Sequence, residues 1–368
     1  MDKTGIQPAR LKRLFQRLVD IYSPSGKEEE VLGYLRGRLK RHGLPVKSQP
    51  VDGHRYNLVV APENREIRLA LIGHVDTVSA PDLDTYGYRE NGDTVRGLGT
   101  ADMKGGCAAL IEAFLAFHEM GGKDAPAALC LVVGEEETGD GARRLARDYP
   151  FPWAIIGEPT DLAPCLGSYG YLEVQVETRG RRMHASMAGR RDNAIEALLQ
   201  VMLRISRYME QRRPEAVYNI RDLFSSRAGF AVPERCEAWL DLHLDPAAPI
   251  GEVMRELEAV CLQKIGNGVD IQTLFRVNTI DPGYALPDQG PVPAALRAAC
   301  EHQGLAWAPA AFRSHSDANQ LRAAGVKPLV LGPGQLEQAH TLEESVSFAQ
   351  VRRAADLYLD VLCRLFPI

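Results

Sequence analysis

"ALIGHVDTVSAP", residues 70–81, opens as a buried strand. Ala70, Leu71 and Ile72 are apolar, and Val75 and Val78 carry that character onward, yet His74 and Asp76 interrupt it two residues apart. Side chains at i and i+2 on a strand point to the same face, so the imidazole and the carboxylate are presented together at the strand's end. Polar groups in such a place are costly unless a partner compensates them. They meet either a common ligand or each other; taken alone, the pair suits an ion pair or a surface loop better than a metal.

Similar runs surround this one: 56–61 (YNLVVA), 127–133 (AALCLVV) and 153–157 (WAIIG), with the quoted stretch inside a strand predicted over 67–78. Leu11, Leu14, Phe15, Leu18, Val19 and Tyr22 recur at helical spacing and predict a helix over 8–22. Ser25 followed by Glu28 fits a capping box opening a second helix to about Arg41, with Gly43 as its stop. A third helix is predicted over 103–120. Strands alternating with helices predict an α/β fold whose loops at strand ends hold the site.

From residue 168 the texture changes. "GYLEVQVETRG" alternates apolar and polar positions, as a half-exposed antiparallel strand does. A helix over 192–210, strands near 217–221, 227–232 and 236–244, a helix over 249–265 and the strand-like "VDIQTLFRV" follow. This is an α+β module of βαββαβ, ferredoxin-like order. Helix–strand alternation then resumes, with helices over 291–303, 317–324 and 348–365 and a strand over 326–331. The predicted organisation is an α/β domain in two parts, 1–167 and 283–368, interrupted by an inserted module over 168–282.

A chain of 368 residues exceeds the size that one hydrophobic core usually serves, in line with two domains. It is 45% apolar and 25% charged with a net charge of −5, and no basic stripe suggests nucleic acid as a partner. No apolar run approaches the roughly 20 residues that cross a bilayer, and "MDKTGIQPARLKRLF" has no signal-peptide pattern. The seven cysteines are scattered without a CxxC pair and suit reduced thiols. A cytoplasmic protein with no membrane partner is expected.

Polar residues gather at the predicted strand ends. "GLGTADMKGG" (97–106) brings Asp102 where a dinucleotide loop would need a third glycine, so a cation suits it better than an anion. "VVGEEETGDGA" (132–142) places Glu135, Glu136 and Glu137 straight after an apolar run; "AIIGEPTD" does the same with Glu158; "LGPGQLEQAHTLEESV" adds His340. If these ends converge, Asp76, Asp102, Glu136, Glu137 and Glu158 crowd one cleft, and like charges at close range need neutralising. Two divalent cations supply +4. Histidine and carboxylate ligands without thiolates suit zinc, with manganese or cobalt as substitutes.

"GHVDTV", "GLGTADMKGG", "EEETG", "GEPTD", "GRRMHASMAGRRDNAIEA", "HSDANQL" and "AHTLEESV" stand in an order that resembles the di-zinc metallopeptidase family of aminoacylase, acetylornithine deacetylase, succinyl-diaminopimelate desuccinylase and glutamate carboxypeptidase type. The resemblance covers nearly the whole chain. It implies a zinc-peptidase-like catalytic domain with a mixed sheet between helices, and makes the inserted module a lid that carries the dimer face. It further implies that His74 and Glu158 bind one zinc and Glu137 and His340 the other, with Asp102 bridging and a cis peptide after it. Asp76 would orient His74. Glu136 would be the general base for attack by a bridging hydroxide, and His184 in "RMHASM" would stabilise the oxyanion. Asn193 would cap the lid helix.

Two positions depart from the family pattern: Phe230 in "GFAVPER" replaces an asparagine, and His243 in "LDLHLDP" replaces an arginine. The group that clamps a substrate carboxylate is therefore sought among Arg276, Arg313 and His315, a guanidinium fork matching a carboxylate well. The expected activity is deacylation of an N-acyl amino acid, as in the acetylornithine or acyl-lysine branch of amino-acid biosynthesis. The alternatives are a di- or tripeptidase, a glutamate-type carboxypeptidase, or a non-catalytic binding homologue.

Overall fold

Leu69–His74 runs through the middle of a mixed sheet, and all six of its residues are buried. In this computed structural model, which describes residues 5–63, 66–188, 193–264 and 271–368, its neighbours Ala127–Val132 and Trp153–Ile156 both lie parallel to it. Lys327–Val330 continues the parallel set beyond Trp153–Ile156. Strands covered on both faces carry continuous apolar runs, which is why these segments do not alternate. Tyr56–Val60 and then Val46–Pro50 extend one side in antiparallel pairing, and Cys165–Ser168 extends the other. Because the four central strands run the same way, their C-terminal ends share one edge. His74 ends one of them, Glu135 and Glu136 closely follow Val132, Glu158 closely follows Ile156, and the chain leaving Val330 leads to His340.

The chain divides into two compact units. The first comprises Met1–Gly167, Leu286–Phe312 and Ser316–Ile368, and the second Ser168–Ala285 with Arg313–His315. In the first unit the helices Pro8–Asp20, Gly105–Glu119 and Phe348–Leu365 pack on one another. Pro8 opens the first at a position where its missing N–H costs nothing, and Leu11, Leu14, Phe15 and Leu18 are buried along it. Arg10 on this helix forks onto the fully buried Glu112 at 2.7 and 3.0 Å. Glu112 also accepts the Gln7 amide at 2.8 Å. Removing one member of a buried pair leaves the other short of partners, and Arg10 would keep only Glu119, so Glu112→Ala is expected to cost about 3 kcal/mol, the low end for a broken buried pair, in denaturant unfolding.

In the second unit Val217–Ser225, Arg235–Leu244, Gly170–Arg179 and Gln272–Asp281 form a four-stranded antiparallel sheet in that spatial order. With Ala194–Arg212 and Ile250–Cys261 the order along the chain is βαββαβ. Leu172, Val174 and Val176 meet Leu198, Val201, Val253 and Leu257 in its core. The alternation in "GYLEVQVETRG" thus marks one face packed on helices and one left open.

The structure differs from the predicted elements at identifiable places. The second helix is Glu29–Arg41, and Ser25 does not cap it: its hydroxyl donates to Asp76 Oδ2 at 2.7 Å while its amide donates to Thr77 O. No strand forms over 227–232, where Gly229 turns at φ 60° and Pro233 cannot donate to a ladder. The predicted strand over 67–78 ends at His74. The predicted helix boundaries at 192 and 265 and strand start at 269–270 lie outside the described residues, as do residues 189–192 of the "GRRMHASMAGRRDNAIEA" segment. No helix among the described residues is long and apolar enough to cross a membrane.

Candidate metal centre

His74 is buried at its strand's end, and both ring nitrogens face oxygen atoms. Nδ1 lies 3.1 Å from the Asp76 carbonyl oxygen and 3.6 Å from Asp76 Oδ1. Nε2 lies 3.2 Å from Asp102 Oδ1, 3.7 Å from Glu158 Oε1 and 3.8 Å from Glu135 Oε2. His340 arrives from the other side, with Nε2 at 2.9 Å from Glu136 Oε2 and 3.5 Å from Asp102 Oδ2. Asp102 therefore shows one oxygen to each histidine. His340 is held at φ 60°, uncommon for a residue with a Cβ and found chiefly where the surrounding structure or a site requires it.

The approach of helix to strand makes this convergence possible. A Cβ on Gly106 would sit 2.0 Å from the Gly157 carbonyl oxygen, so only glycine lets the helix after Asp102 lie against the strand end before Glu158. The Asp102–Met103 peptide bond is cis.

Asp76 ties three segments together. Its Oδ2 accepts from Ser25 Oγ and, at 3.1 Å, from the Glu136 amide, while its Oδ1 is turned toward His74. The Asp76 carbonyl oxygen, at 3.1 Å from Nδ1, fixes the tautomer and orientation of the imidazole, with the carboxylate charge close behind it.

The electrostatics are those of a site built around positive charge. Burial pushes the Glu158 carboxyl up to about 8, with the Asp102 charge adding to it. Burial also raises Glu136, and raises Glu135 well above the usual carboxylate range. Burial opposes charging His74, but Glu158, Glu135 and the bond to Asp102 hold it well above an ordinary imidazole. Its hydrogen bond to Glu136 lifts His340 to about 9. Glu136 Oε1, Glu158 Oε1 and Asp76 Oδ1 are buried without a hydrogen-bond partner. Two sets, His74–Asp102–Glu136 and His74–Glu135–Glu158, each hold their ligand atoms within 4.8 Å of one another. Buried carboxylate oxygens that lack donors, interleaved with imidazoles, fit divalent cations with mixed nitrogen and oxygen ligands.

The acidic run is placed one residue earlier than the E-E-x-G spacing implied. Glu135 and Glu136 turn into the cluster, and Glu137 is exposed. Thr138 and Gly139 both donate to the Gly134 carbonyl, so the run forms a tight turn. At about 100° per residue in a helical turn, three successive side chains cannot share one face. The usable signal was Gly134, whose φ of 74° starts the turn immediately before Glu135.

Sequence reasoning assigned no role to two further residues. Glu344 is buried and accepts the amides of Gly99, Ala101 and Asp102. Burial raises Asp317 to about 7, and both its carboxyl oxygens are buried without a hydrogen-bond partner. "TLEESV" and "HSDAN" resemble solvated loops in composition, and composition alone gave no sign of this burial.

The other sequence candidates belong to the second unit. His184 is exposed and caps a short turn, its Nδ1 accepting the Ser186 amide at 3.2 Å. Asn193 caps Ala194–Arg212 through the Ile195 and Glu196 amides. Arg276 is engaged within the sheet, 3.1 Å from Gln175 Oε1 and 3.2 Å from Glu177 Oε2. Arg313 is exposed. His315 stacks on Tyr171 at 4.0 Å between centroids, and His243 packs on the same ring at 5.3 Å. Phe230 is 90% exposed.

Residues 70–364 match the sequence pattern of peptidase family M20/M25/M40. The chain is similar to an acetylornithine deacetylase of Edwardsiella ictaluri (strain 93-146), 30% identical over 340 residues that cover 87% of this chain and 86% of that protein. Its fold is similar to that of a tripeptidase from Staphylococcus aureus, with a TM-score of 0.82 at 21% identity over 98% of this chain and 99% of that one. It is also similar to a dinuclear metal binding peptidase of Bacillus subtilis, with a TM-score of 0.67 at 13% identity over 96% and 97% of the two chains.

Proposed function

Since the chain belongs to peptidase family M20/M25/M40, we propose that it removes the acyl group from an N-acyl amino acid. It is a metal-dependent hydrolase of amide bonds. The observation that carries the site assignment is Asp102, with Oδ1 at 3.2 Å from His74 Nε2 and Oδ2 at 3.5 Å from His340 Nε2. On this reading His74 and Glu158 hold one cation, Glu136 and His340 hold the other, and Asp102 serves both. Zinc is the first choice for such ligands, with cobalt or manganese as substitutes. When bound, the two ions supply Lewis acidity toward the scissile carbonyl and make water acidic enough to react near neutral pH.

Glu135 is the general base. Its raised affinity for a proton suits a group that must take one from water and deliver it to the leaving amine. Asp76 holds His74 in the ligating orientation through Nδ1. His184 is kept as the candidate donor to the oxyanion.

Deacylation is favoured over peptide cleavage by the 30% identity to an acetylornithine deacetylase. The test is zinc-loaded hydrolysis of N-acetylornithine, N-acetyl-lysine, N-acetylcitrulline, N-succinyl-diaminopimelate and several dipeptides. One acyl amino acid is expected to be preferred by orders of magnitude, and His184→Ala to lower kcat about 100-fold. Turnover of dipeptides alone would replace deacylation with peptidase activity.

A homodimer is proposed through the second unit, where Leu199 and Leu203 on one helix and Val217, Ile220 and Leu223 on the edge strand are exposed. A single-chain mass in sedimentation velocity would rule it out. A cytoplasmic location within amino-acid biosynthesis accords with the seven unpaired cysteines; a fractionation experiment that finds the protein outside the cytoplasm would overturn it.

A further inference from the structure

We propose that Glu344 is a positioning residue for the metal centre, holding Asp102 in place through the backbone rather than by touching metal or substrate. The proposal rests on the metal-dependent reading of the site above. Glu344 follows His340 on the same loop and is buried, only 3% exposed. Its Oε2 accepts the Gly99 amide at 2.8 Å, and its Oε1 accepts the Ala101 amide at 2.8 Å and the Asp102 amide at 3.1 Å. Its own carbonyl accepts the Gly97 amide at 3.3 Å.

These donors need an outside acceptor. The chain turns through a helical segment over Thr100–Lys104, but Asp102 itself is extended at φ −118°, ψ 98°. Amides at the start of a helix have no partner within it, and the extended residue interrupts the segment further. Glu344 supplies the acceptor for three of them at once, and a carboxylate has the lone pairs to do so. Fixing the Asp102 amide fixes the backbone from which its carboxyl reaches His74 and His340.

The same contact couples the two loops that supply ligands. His340 and Glu344 share a short segment closed by the Glu344 amide donating to Thr341 O at 3.3 Å, and Ser345–Ser347 then pairs with Thr94–Arg96. Displacing Glu344 would free the Asp102 turn and slacken the loop bearing His340 together. A glutamine at this position keeps one acceptor oxygen but turns an amide nitrogen toward the Gly99 or the Ala101 and Asp102 donors. It therefore tests the hydrogen bonds with little change of volume.

The experiment is titration of metal-free protein with Co2+, followed by its absorption bands, for wild type, Glu344→Gln and Glu344→Ala. Apo melting points, kcat and KM are measured alongside. Losing an outer partner of a metal ligand typically weakens metal binding by about 10–100-fold. Co2+ is expected to bind roughly tenfold more weakly to the glutamine variant and about 100-fold more weakly to the alanine variant. The glutamine variant's kcat should fall while its KM stays within about twofold, and its apo melting point should stay within about 2 °C of wild type. Wild-type and variant Co2+ affinities agreeing within threefold would overturn the proposal while leaving the metal reading intact. Affinity lost only in step with apo melting would overturn it too, as general structural support. A wild type that binds no Co2+ would overturn both. Hydrogen exchange of the wild-type apo protein gives a check that needs no variant: amides 99–102 should be protected, and exchange at the rate of a free loop would overturn the proposal.

Discussion

Glu135→Gln is expected to lower kcat by about 10³-fold or more while the protein keeps its metal and its KM. A positioned general base contributes roughly 10²–10⁴-fold, and here the same carboxyl must both take a proton from water and return it to the amine. Glutamine preserves the volume and removes that capacity. Glu136→Gln should behave differently, because Glu136 faces His340 at 2.9 Å and is assigned as a ligand. Metal content and activity should fall together, and added metal should restore part of both. Glu137→Gln should stay within about twofold of wild type, since Glu137 is exposed. Measuring metal stoichiometry beside kcat separates the three. If Glu137→Gln were the inactive, metal-replete variant and Glu135→Gln the silent one, the one-residue shift would be wrong and the E-E-x-G spacing right.

That shift shows where the sequence is informative. Continuous apolar runs ending in His, Asp or Glu mark buried parallel strands with polar C-terminal ends, and Leu69–His74 with its neighbours follows that pattern. Such patterns depend on period and burial, which one-dimensional reading captures. Which of three successive acids faces inward depends on the local turn, and a positive φ at Gly134 has no periodic signature. Ser25 illustrates a second kind of failure. Ser-x-x-Glu is a capping signal by local rules, but Asp76, fifty-one positions away, takes the hydroxyl instead. Glu344 is of the same kind: three backbone amides over two hundred residues distant determine its role. Arg276 was a reasonable carboxylate clamp by residue type, yet Glu177, which also holds Arg179 and Arg235, engages it within the sheet. The two departures from the family pattern sit differently: Phe230 is exposed, whereas His243 is part of an aromatic cluster. His243 packs against Tyr171, on which His315 stacks.

The second large effect concerns the protein without metal. The chelated protein is expected to become less stable as pH rises from about 5.5 to 8.5. Glu158 titrates near 8 in the folded chain, and Glu135 and Glu136 are raised as well, against about 4.3 in an unfolded chain. Across this window the folded apo state holds protons that the unfolded state has released. Stability must then fall with pH until the folded values are passed. His340, raised to about 9, acts in the same direction: its contribution is complete below the unfolded imidazole value and is lost as pH climbs through 9. Asp317 and Glu344, each near 7 through burial, add to the slope up to neutrality. Asp76 and Asp102 are lowered, so their contribution is already complete above pH 5 and leaves the slope unchanged. Bound cations reverse this behaviour, because ligands must lose their protons to bind metal and affinity therefore rises with pH. Differential scanning calorimetry of the apo protein should show the melting point dropping by about 5 °C or more between pH 5.5 and 8.5, each kcal/mol being roughly 1–2 °C at the usual unfolding entropy per residue for a chain of this length. The zinc-loaded protein should show no such drop. An apo melting point that stays flat or climbs across that range would mean the buried carboxylates are neutralised by the chain itself, and the reading of the cluster as a place for two cations would lose its electrostatic basis.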